Sequence, residues 1–159
     1  MEEFPAIDPA KASRVFAAAM ESDPLHAWFF PNAEKRRVKL ERMYALVVLA
    51  GRGDLLFAPD GSGYLLRKLP HAFTGNSPKA VPLVWAAFRL LAVLRPGEIF
   101  RLVAYALASS GVRRRQMPRG AIYVSVAAVD PARQGKGVGS SLFRRVIEEA
   151  DTLRVPSMW

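Results

Sequence analysis

The residues whose types and spacing could do chemistry lie in the glycine-rich turn Gln134-Gly135-Lys136-Gly137-Val138-Gly139. Glycines leave the backbone N–H groups of a turn accessible, and the segment that follows has the periodicity of a helix. Unpaired N–H groups and the positive end of the helix dipole both favour a bound anion. This turn, with Ser140 directly after it, is therefore a candidate site for a pyrophosphate group.

A strand and a helix must position this turn. The segment Ile122 to Val129 is almost continuously apolar and rich in β-branched residues, which predicts a strand covered on both faces. Asp130-Pro131 ends the strand, because proline cannot donate to a ladder. After the glycines, apolar residues recur at helical spacing and predict an amphipathic helix packed on the sheet. This predicted apolar face consists of Val138, Leu142, Phe143, Val146, Ile147, Ala150 and Leu153.

Two common phosphate-binding motifs do not match this spacing. A P-loop has Lys-Ser or Lys-Thr directly after its last glycine, whereas Ser140-Ser141 follows Gly139 here. A dinucleotide-binding fold has G-x-G-x-x-G in its first strand–helix turn, whereas the glycines here are spaced G-x-G-x-G. The pyrophosphate is therefore expected to belong to a different class of molecule.

The strand end and the turn together resemble the GNAT superfamily of acyl-CoA-dependent N-acetyltransferases. The matching segments are Ala127-Ala128-Val129-Asp130-Pro131 and Gln134-Gly135-Lys136-Gly137-Val138-Gly139-Ser140. The resemblance implies an α/β (α+β) fold with a mixed central sheet flanked by helices. It also implies acetyl-CoA as the acetyl donor and a primary amine of a small molecule as the acceptor. The implied cofactor-binding residues are Ala127, Ala128, Val129, Gln134, Gly135, Lys136, Gly137, Val138, Gly139 and Ser140.

Several segments upstream of the turn also match a known pattern: Phe16, Asp23-Pro24, Trp28, Phe30-Pro31 and Leu69-Pro70. They resemble the puromycin-acetyltransferase-like branch of that superfamily. This branch carries an apolar helical insert before the cofactor strand, here expected over residues 80–110. The insert is expected to cover the acceptor cleft, with a membrane-surface element as the alternative interpretation.

The last residues of the sequence predict an incomplete sheet. In the superfamily the fourth and fifth strands splay apart around the pantetheine arm, and the helix that follows usually carries a tyrosine that acts as general acid. The segment Val155 to Trp159 corresponds only to the start of that fifth strand. We expect a single, C-terminally truncated domain over residues 1–159 that lacks the C-terminal strands and helix. It would act as a homo-oligomer or with a complementing chain, or else serve as an inactive CoA-binding or interaction module.

The sequence assigns no catalytic residue. Tyr123, Ser125 and Glu98 are the available polar candidates, and each is expected to be structural or solvated. His26 and His71 lack metal-ligand spacing and are interpreted as ordinary polar or packing residues. The chain has no cysteine, so neither a disulfide framework nor a thiolate metal site is expected, and no metal cofactor is predicted.

Charge and hydropathy limit the expected partners. The formal net charge is +9, and the basic residues Arg113-Arg114-Arg115 and Arg119 are expected in a solvated connector rather than in a nucleic-acid interface, with contact with the cofactor's phosphates as the alternative. The apolar stretch Val81 to Leu94 is too short to span a bilayer and carries Arg89. The first residues do not resemble a signal peptide. We therefore expect a cytoplasmic protein without nucleic-acid or membrane partners.

The remaining elements follow from caps and turns. A short strand is possible near Phe4–Ile7, and Asp8 with Pro9 predicts a helix to about Met20. Asn32 is the expected cap of a second helix through Ala50. Two paired strands are expected over residues 54–58 and 63–69, joined by the turn Pro59-Asp60-Gly61-Ser62.

Overall fold

The computed structural model describes residues 8–51, 54–69, 80–116 and 120–158. The possible strand near Phe4–Ile7 and the side chain of His71 lie outside the described residues. Along the chain, helices alternate with strands. In order they are α1 (Pro9–Met20), α2 (Pro24–Phe29), α3 (Ala33–Ala50), β1 (Leu55–Phe57), β2 (Gly63–Lys68), α4 (Ala80–Leu91), α5 (Pro96–Gln116), β3 (Ile122–Val129), α6 (Val138–Leu153) and β4 (Ser157–Met158).

The four strands form one mixed sheet in the order β1-β2-β3-β4. β1 and β2 form the predicted antiparallel hairpin, and β3 pairs antiparallel to β2. β4 pairs parallel to the start of β3, with Ile122 opposite Ser157 and Tyr123 opposite Met158. The predicted mixed sheet is thus confirmed, and a strand does begin at the position expected for it.

Helices cover both faces of this sheet, as the apolar character of β3 predicts. On one face α1 and α3 bury a cluster that contains Phe16, Leu40 and Val48. On the other face α6 buries Leu142 and Val146 against the strands. Both β2 and β3 contribute to the two clusters, so these strands connect the two layers.

Three details differ from the sequence-based expectations. The short helix α2 was not predicted; Asp23 caps it by accepting a hydrogen bond from the His26 N–H at 3.1 Å. The basic run 113–115 does not lie in a connector, because α5 continues through it to Gln116. Ile147 and Leu153 are exposed by 42% and 47%, so the buried face of α6 is narrower than the pattern suggests.

The insert between β2 and β3 packs on other helices. α4 buries Ala86 and Leu90 and lies along α3. α5 is held to α3 by a buried ion pair, in which the Lys39 ammonium donates to both carboxylate oxygens of Glu98 at 2.5 and 2.6 Å. The Arg95 N–H at the start of α5 also donates to Glu98, at 2.8 Å. Within the described residues, no helix has the length and apolar character needed to cross a bilayer.

Candidate functional site

The glycine-rich turn leaves backbone donors open where α6 begins. Gly135 and Gly137 have φ angles of +75° and +78°, a region that glycine adopts without strain. A Cβ at either position would meet nothing within 4 Å, so open space lies beside the turn. The first helical backbone bond runs from the Ser141 N–H to the Gly137 carbonyl, at 2.9 Å. The N–H groups of residues 138–140 thus have no acceptor within the helix, and Gly137 provides no side-chain cap.

The glycine-rich turn is held in place by hydrogen bonds among neighbouring residues and by one to the β1–β2 turn. Asp130 accepts a hydrogen bond from the Ala132 N–H at 2.9 Å, and its own N–H donates to the Ser62 carbonyl at 2.7 Å. The Gln134 amide donates to the Val129 carbonyl at 3.2 Å. The Gln134 side chain therefore has an acceptor within the protein and fastens the turn to the end of β3.

The start of α6 packs very closely on the sheet. A Cβ on Gly63 would lie only 2.7 Å from Cγ1 of Val138 and 3.1 Å from Cδ1 of Leu142. A Cβ on Gly139 would lie 3.6 Å from Cγ2 of Val129, an ordinary van der Waals distance. The distance of the helix from the strands, and with it the position of the open N–H groups, therefore depends on the missing side chain at Gly63.

A β-bulge interrupts β3 a few residues before the turn. Val126 lies opposite Leu66 and Val124 opposite Arg67, so Ser125 has no partner across this ladder. Bulges re-aim side chains and are frequent near functional sites. In the described part of the chain, the Ser125 hydroxyl oxygen is also the one buried side-chain polar atom without a hydrogen-bond partner. The sequence gives no sign of this bulge.

The far edge of β3 is open beyond its first two residues. β4 pairs only with Ile122 and Tyr123, and from Val124 to Val129 this edge has no strand partner among the described residues. The predicted site residues 127–129 lie on this stretch, directly before the glycine turn. An open strand edge can hydrogen-bond an extended ligand through its backbone groups.

A cluster of three hydrogen-bonded polar side chains lies on the α1 side of the sheet. The Asp23 carboxylate is 2.7 Å from Nδ1 of His26, and the Tyr44 hydroxyl is 2.8 Å from Nε2 of the same ring. The hydrogen bond with His26 lowers the pKa of Asp23, and burial raises the pKa of Tyr44. His26 is thus a buried residue with polar partners, in keeping with its predicted packing role. The only sequence signal for this group is the spacing of Asp23 and His26, which are three residues apart at the start of α2, whereas Tyr44 lies on α3.

Glu98 has a structural role in the observed fold. Burial by itself would raise the pKa of Glu98, but the Arg95 N–H and the Lys39 ammonium outweigh burial and hold that pKa below its ordinary value. The carboxylate is therefore ionised and fully engaged at the base of the insert, as the structural interpretation predicts. No group of side chains suited to hold a metal ion occurs among the described residues.

Comparison with known proteins agrees with this geometry. No curated protein matches the chain significantly. The family model for the acetyltransferase (GNAT) family matches residues 67–159, which is more than half of the chain and includes β3, the glycine turn, α6 and β4. Members of this family use acetyl-CoA, and the mixed sheet flanked by helices is consistent with their fold. The chain therefore belongs to the GNAT acetyltransferase family.

Proposed function

We propose that this protein transfers an acetyl group from acetyl-CoA to a primary amine of a small molecule, as in the puromycin-acetyltransferase-like branch. The observation that carries the proposal is the juxtaposition of an open strand edge with open helical N–H groups. The edge of β3 from Val124 to Val129 leads directly into the turn Gln134–Ser140. A long cofactor with amide groups in its arm and phosphates at its far end fits that order.

The residues present suit both parts of such a cofactor. The pyrophosphate would accept hydrogen bonds from the N–H groups between Gly135 and Ser140, with the exposed Lys136 beside them. The helix dipole adds typically ~0.3–1 kcal/mol, and up to about 2 kcal/mol when the site is partly buried. Convergent hydrogen bonds must therefore supply most of the affinity. The pantetheine amides would pair with the open edge of β3 at Ala127 and at the N–H of Val129, since the backbone groups of Ala128 between them face β2 and the Val129 carbonyl accepts from Gln134.

The chain's contribution to the reaction is mainly orientation. Acetyl-CoA supplies an activated acetyl thioester when it is bound. The backbone N–H groups on the open edge of β3 can donate to the thioester carbonyl, where negative charge develops as the amine attacks. The bulge at Ser125 changes the direction of the strand just before this stretch. Alignment of amine and thioester then raises their effective concentration, a recognised source of rate enhancement.

Calorimetric titration with acetyl-CoA tests the cofactor site. We expect wild-type protein to bind and Gly137→Glu to lose binding, because the new side chain fills the open space and brings a negative charge. Gly120→Glu is the matched control, since Gly120 also has a positive φ, of +87°, and open space around it, and it lies before the other end of β3. Equal affinity of a folded Gly137→Glu variant and the wild type would contradict the proposed cradle.

Release of free thiol over a panel of small primary amines tests the transfer step. Turnover with at least one amine supports the proposed acetyltransferase. Binding of acetyl-CoA without turnover of any amine would contradict the transfer step and favour a CoA-binding or interaction module. The oligomeric state should be measured in the same samples.

A further inference from the structure

The helical insert presents an unusual apolar surface. Soluble monomeric proteins rarely expose a large contiguous apolar patch without using it. On α4 the inward face buries Ala86 and Leu90, yet the outward face is apolar as well. Eight large apolar residues of the two helices are at least half exposed: Val81, Val84, Trp85, Phe88, Leu91, Phe100, Val103 and Leu107.

The charges on the same two helices are almost all of one sign. The sequence from residue 80 to 116 holds six arginines and one acidic residue, Glu98. Glu98 is buried and paired with Lys39, so no carboxylate of α4 or α5 reaches solvent. Arg89 and Arg95 are exposed on the insert. The exposed surface of the insert therefore combines apolar side chains with positive charge only.

A groove beside α4 extends this pattern. It has a volume of about 520 Å³ and lies between α1, α3 and α4, with Trp85 in its wall and Arg14, Arg42 and Arg89 among its lining residues. One carboxylate, that of Glu41, also lines the groove and is paired with Arg37 at 3.4 Å, so the cationic groups outnumber it. Arg42 donates to the Arg89 carbonyl at 2.8 Å. The guanidinium groups of Arg14 and Arg89 have no partner among the described residues. The groove can therefore take an anionic group next to an apolar surface.

We propose that the insert binds the surface of an anionic lipid bilayer, with a lipid headgroup in this groove. A second copy of the chain is a poorer partner, since it would place like charges opposite each other. Apolar and aromatic side chains beside cationic ones are typical of helices that lie in the membrane interface. The inference is independent of the acetyl-transfer proposal.

This surface contact differs from the sequence-based expectation of no membrane partner. That expectation was based on the length of the apolar stretch, which excludes a membrane span but not an interfacial helix. The packing of α4 on α3 and the Lys39–Glu98 pair hold the insert on the folded core. Its outward apolar face is therefore available without any unfolding.

Cosedimentation of the full chain with vesicles tests the proposal. We expect binding to vesicles of phosphatidylglycerol and phosphatidylcholine, none to phosphatidylcholine alone, and weaker binding at high salt. Trp85→Glu should weaken binding roughly tenfold or more, because a charge replaces an inserted aromatic ring. Ile147→Glu is the matched control, since it introduces the same charge at an exposed apolar position of α6. It should bind like the wild type.

A second pair of variants tests the contribution of positive charge on the insert to vesicle binding. Arg89→Gln should reduce affinity about fivefold, the usual contribution of one arginine near an anionic surface. Arg144→Gln, on the exposed side of α6, should have a much smaller effect. If Trp85→Glu fails to fold by circular dichroism, Val81→Glu at the exposed end of α4 replaces it. Failure of the wild type to bind anionic vesicles would overturn the proposal, and so would unchanged binding by the α4 variants. A stable dimer that Trp85→Glu dissociates would identify a second copy as the occupant instead.

Discussion

Adding one methyl group at Gly63 should lower the stability of the protein and displace the glycine-rich turn at the start of α6. The Cβ of Gly63→Ala would lie 2.7 Å from Cγ1 of Val138, about 1 Å inside normal carbon contact. Overpacking of this kind typically costs about 1–3 kcal/mol. Alanine regains roughly 0.5–1 kcal/mol relative to glycine within a strand. We therefore expect the free energy of unfolding to fall by up to about 2.5 kcal/mol.

A double-mutant cycle, measured by urea unfolding, isolates the contact between residues 63 and 138. It compares the wild type, Gly63→Ala, Val138→Ala and the double variant. Because Val138→Ala removes the atom that would clash, the second substitution should offset the first, with a coupling energy of about 1 kcal/mol or more. Gly111→Ala serves as control, since a Cβ there meets nothing within 4 Å. It should stabilise the protein by up to about 1 kcal/mol.

The same variants test whether the packing of α6 on Gly63 affects acetyl-CoA binding. Relief of the clash at Gly63 requires the first turn of α6 to move away from the strands, which displaces the open N–H groups of residues 138–140. Acetyl-CoA affinity should fall roughly tenfold in Gly63→Ala, equivalent to about 1.4 kcal/mol, and recover in the double variant. Equal destabilisation by Gly63→Ala with and without Val138→Ala would refute the reasoning.

Four further predictions concern polar groups of the fold. Glu98→Gln leaves the Lys39 charge buried without its partner and should cost about 3–5 kcal/mol in urea unfolding; a loss below 1 kcal/mol would contradict the buried pairing. The pKa of Glu98 is lower in the folded protein than its ordinary value. The ionised carboxylate therefore adds to the free energy of unfolding at pH values above its unfolded pKa of about 4.3. This contribution is lost as the pH falls through the pKa that Glu98 has in the folded protein. Stability of the wild type should therefore decline faster on acidification than that of Glu98→Gln, and parallel pH profiles would count against this. Ser125→Ala removes a buried oxygen without a partner and should leave unfolding free energy unchanged or raise it by up to about 1 kcal/mol, whereas a clear loss would reveal a missed hydrogen bond. Asp23→Ala removes the cap of α2 and a partner of His26 and should destabilise by about 1–2 kcal/mol, measured as a fall of several degrees in the thermal midpoint.

Local sequence signals were sufficient to predict the strand, turn and helix that carry the proposed cofactor site. The apolar run of β3, the Asp130-Pro131 stop and the helical spacing of α6 depend on neighbours within one element. They could therefore be read without tertiary information. The hairpin and the caps at Asp8 and Asn32 were predictable for the same reason, since turn and capping preferences act over a few residues.

Features that depend on distant partners could not be predicted. The bulge at Ser125 arises from the register between β2 and β3, which no local pattern encodes. The Lys39–Glu98 pair joins residues 59 positions apart. α2 was missed because six residues are too few to show helical periodicity. The run 113–115 was assigned to a connector from its charge, although arginine is a good helix former and the helix continues through it.

The Lys39–Glu98 pair also has a consequence for how the sheet is assembled. β2 and β3 are neighbours in the sheet, yet about fifty residues separate them, so pairing them closes a long loop. Closing the Lys39–Glu98 contact spans 59 positions, so neither contact is a short loop when it forms first. Once either contact has formed, the other closes a shorter effective loop and costs less conformational entropy. The pair and the β2–β3 ladder therefore favour each other's formation through chain entropy, a role distinct from the electrostatic contribution of the pair to the native state.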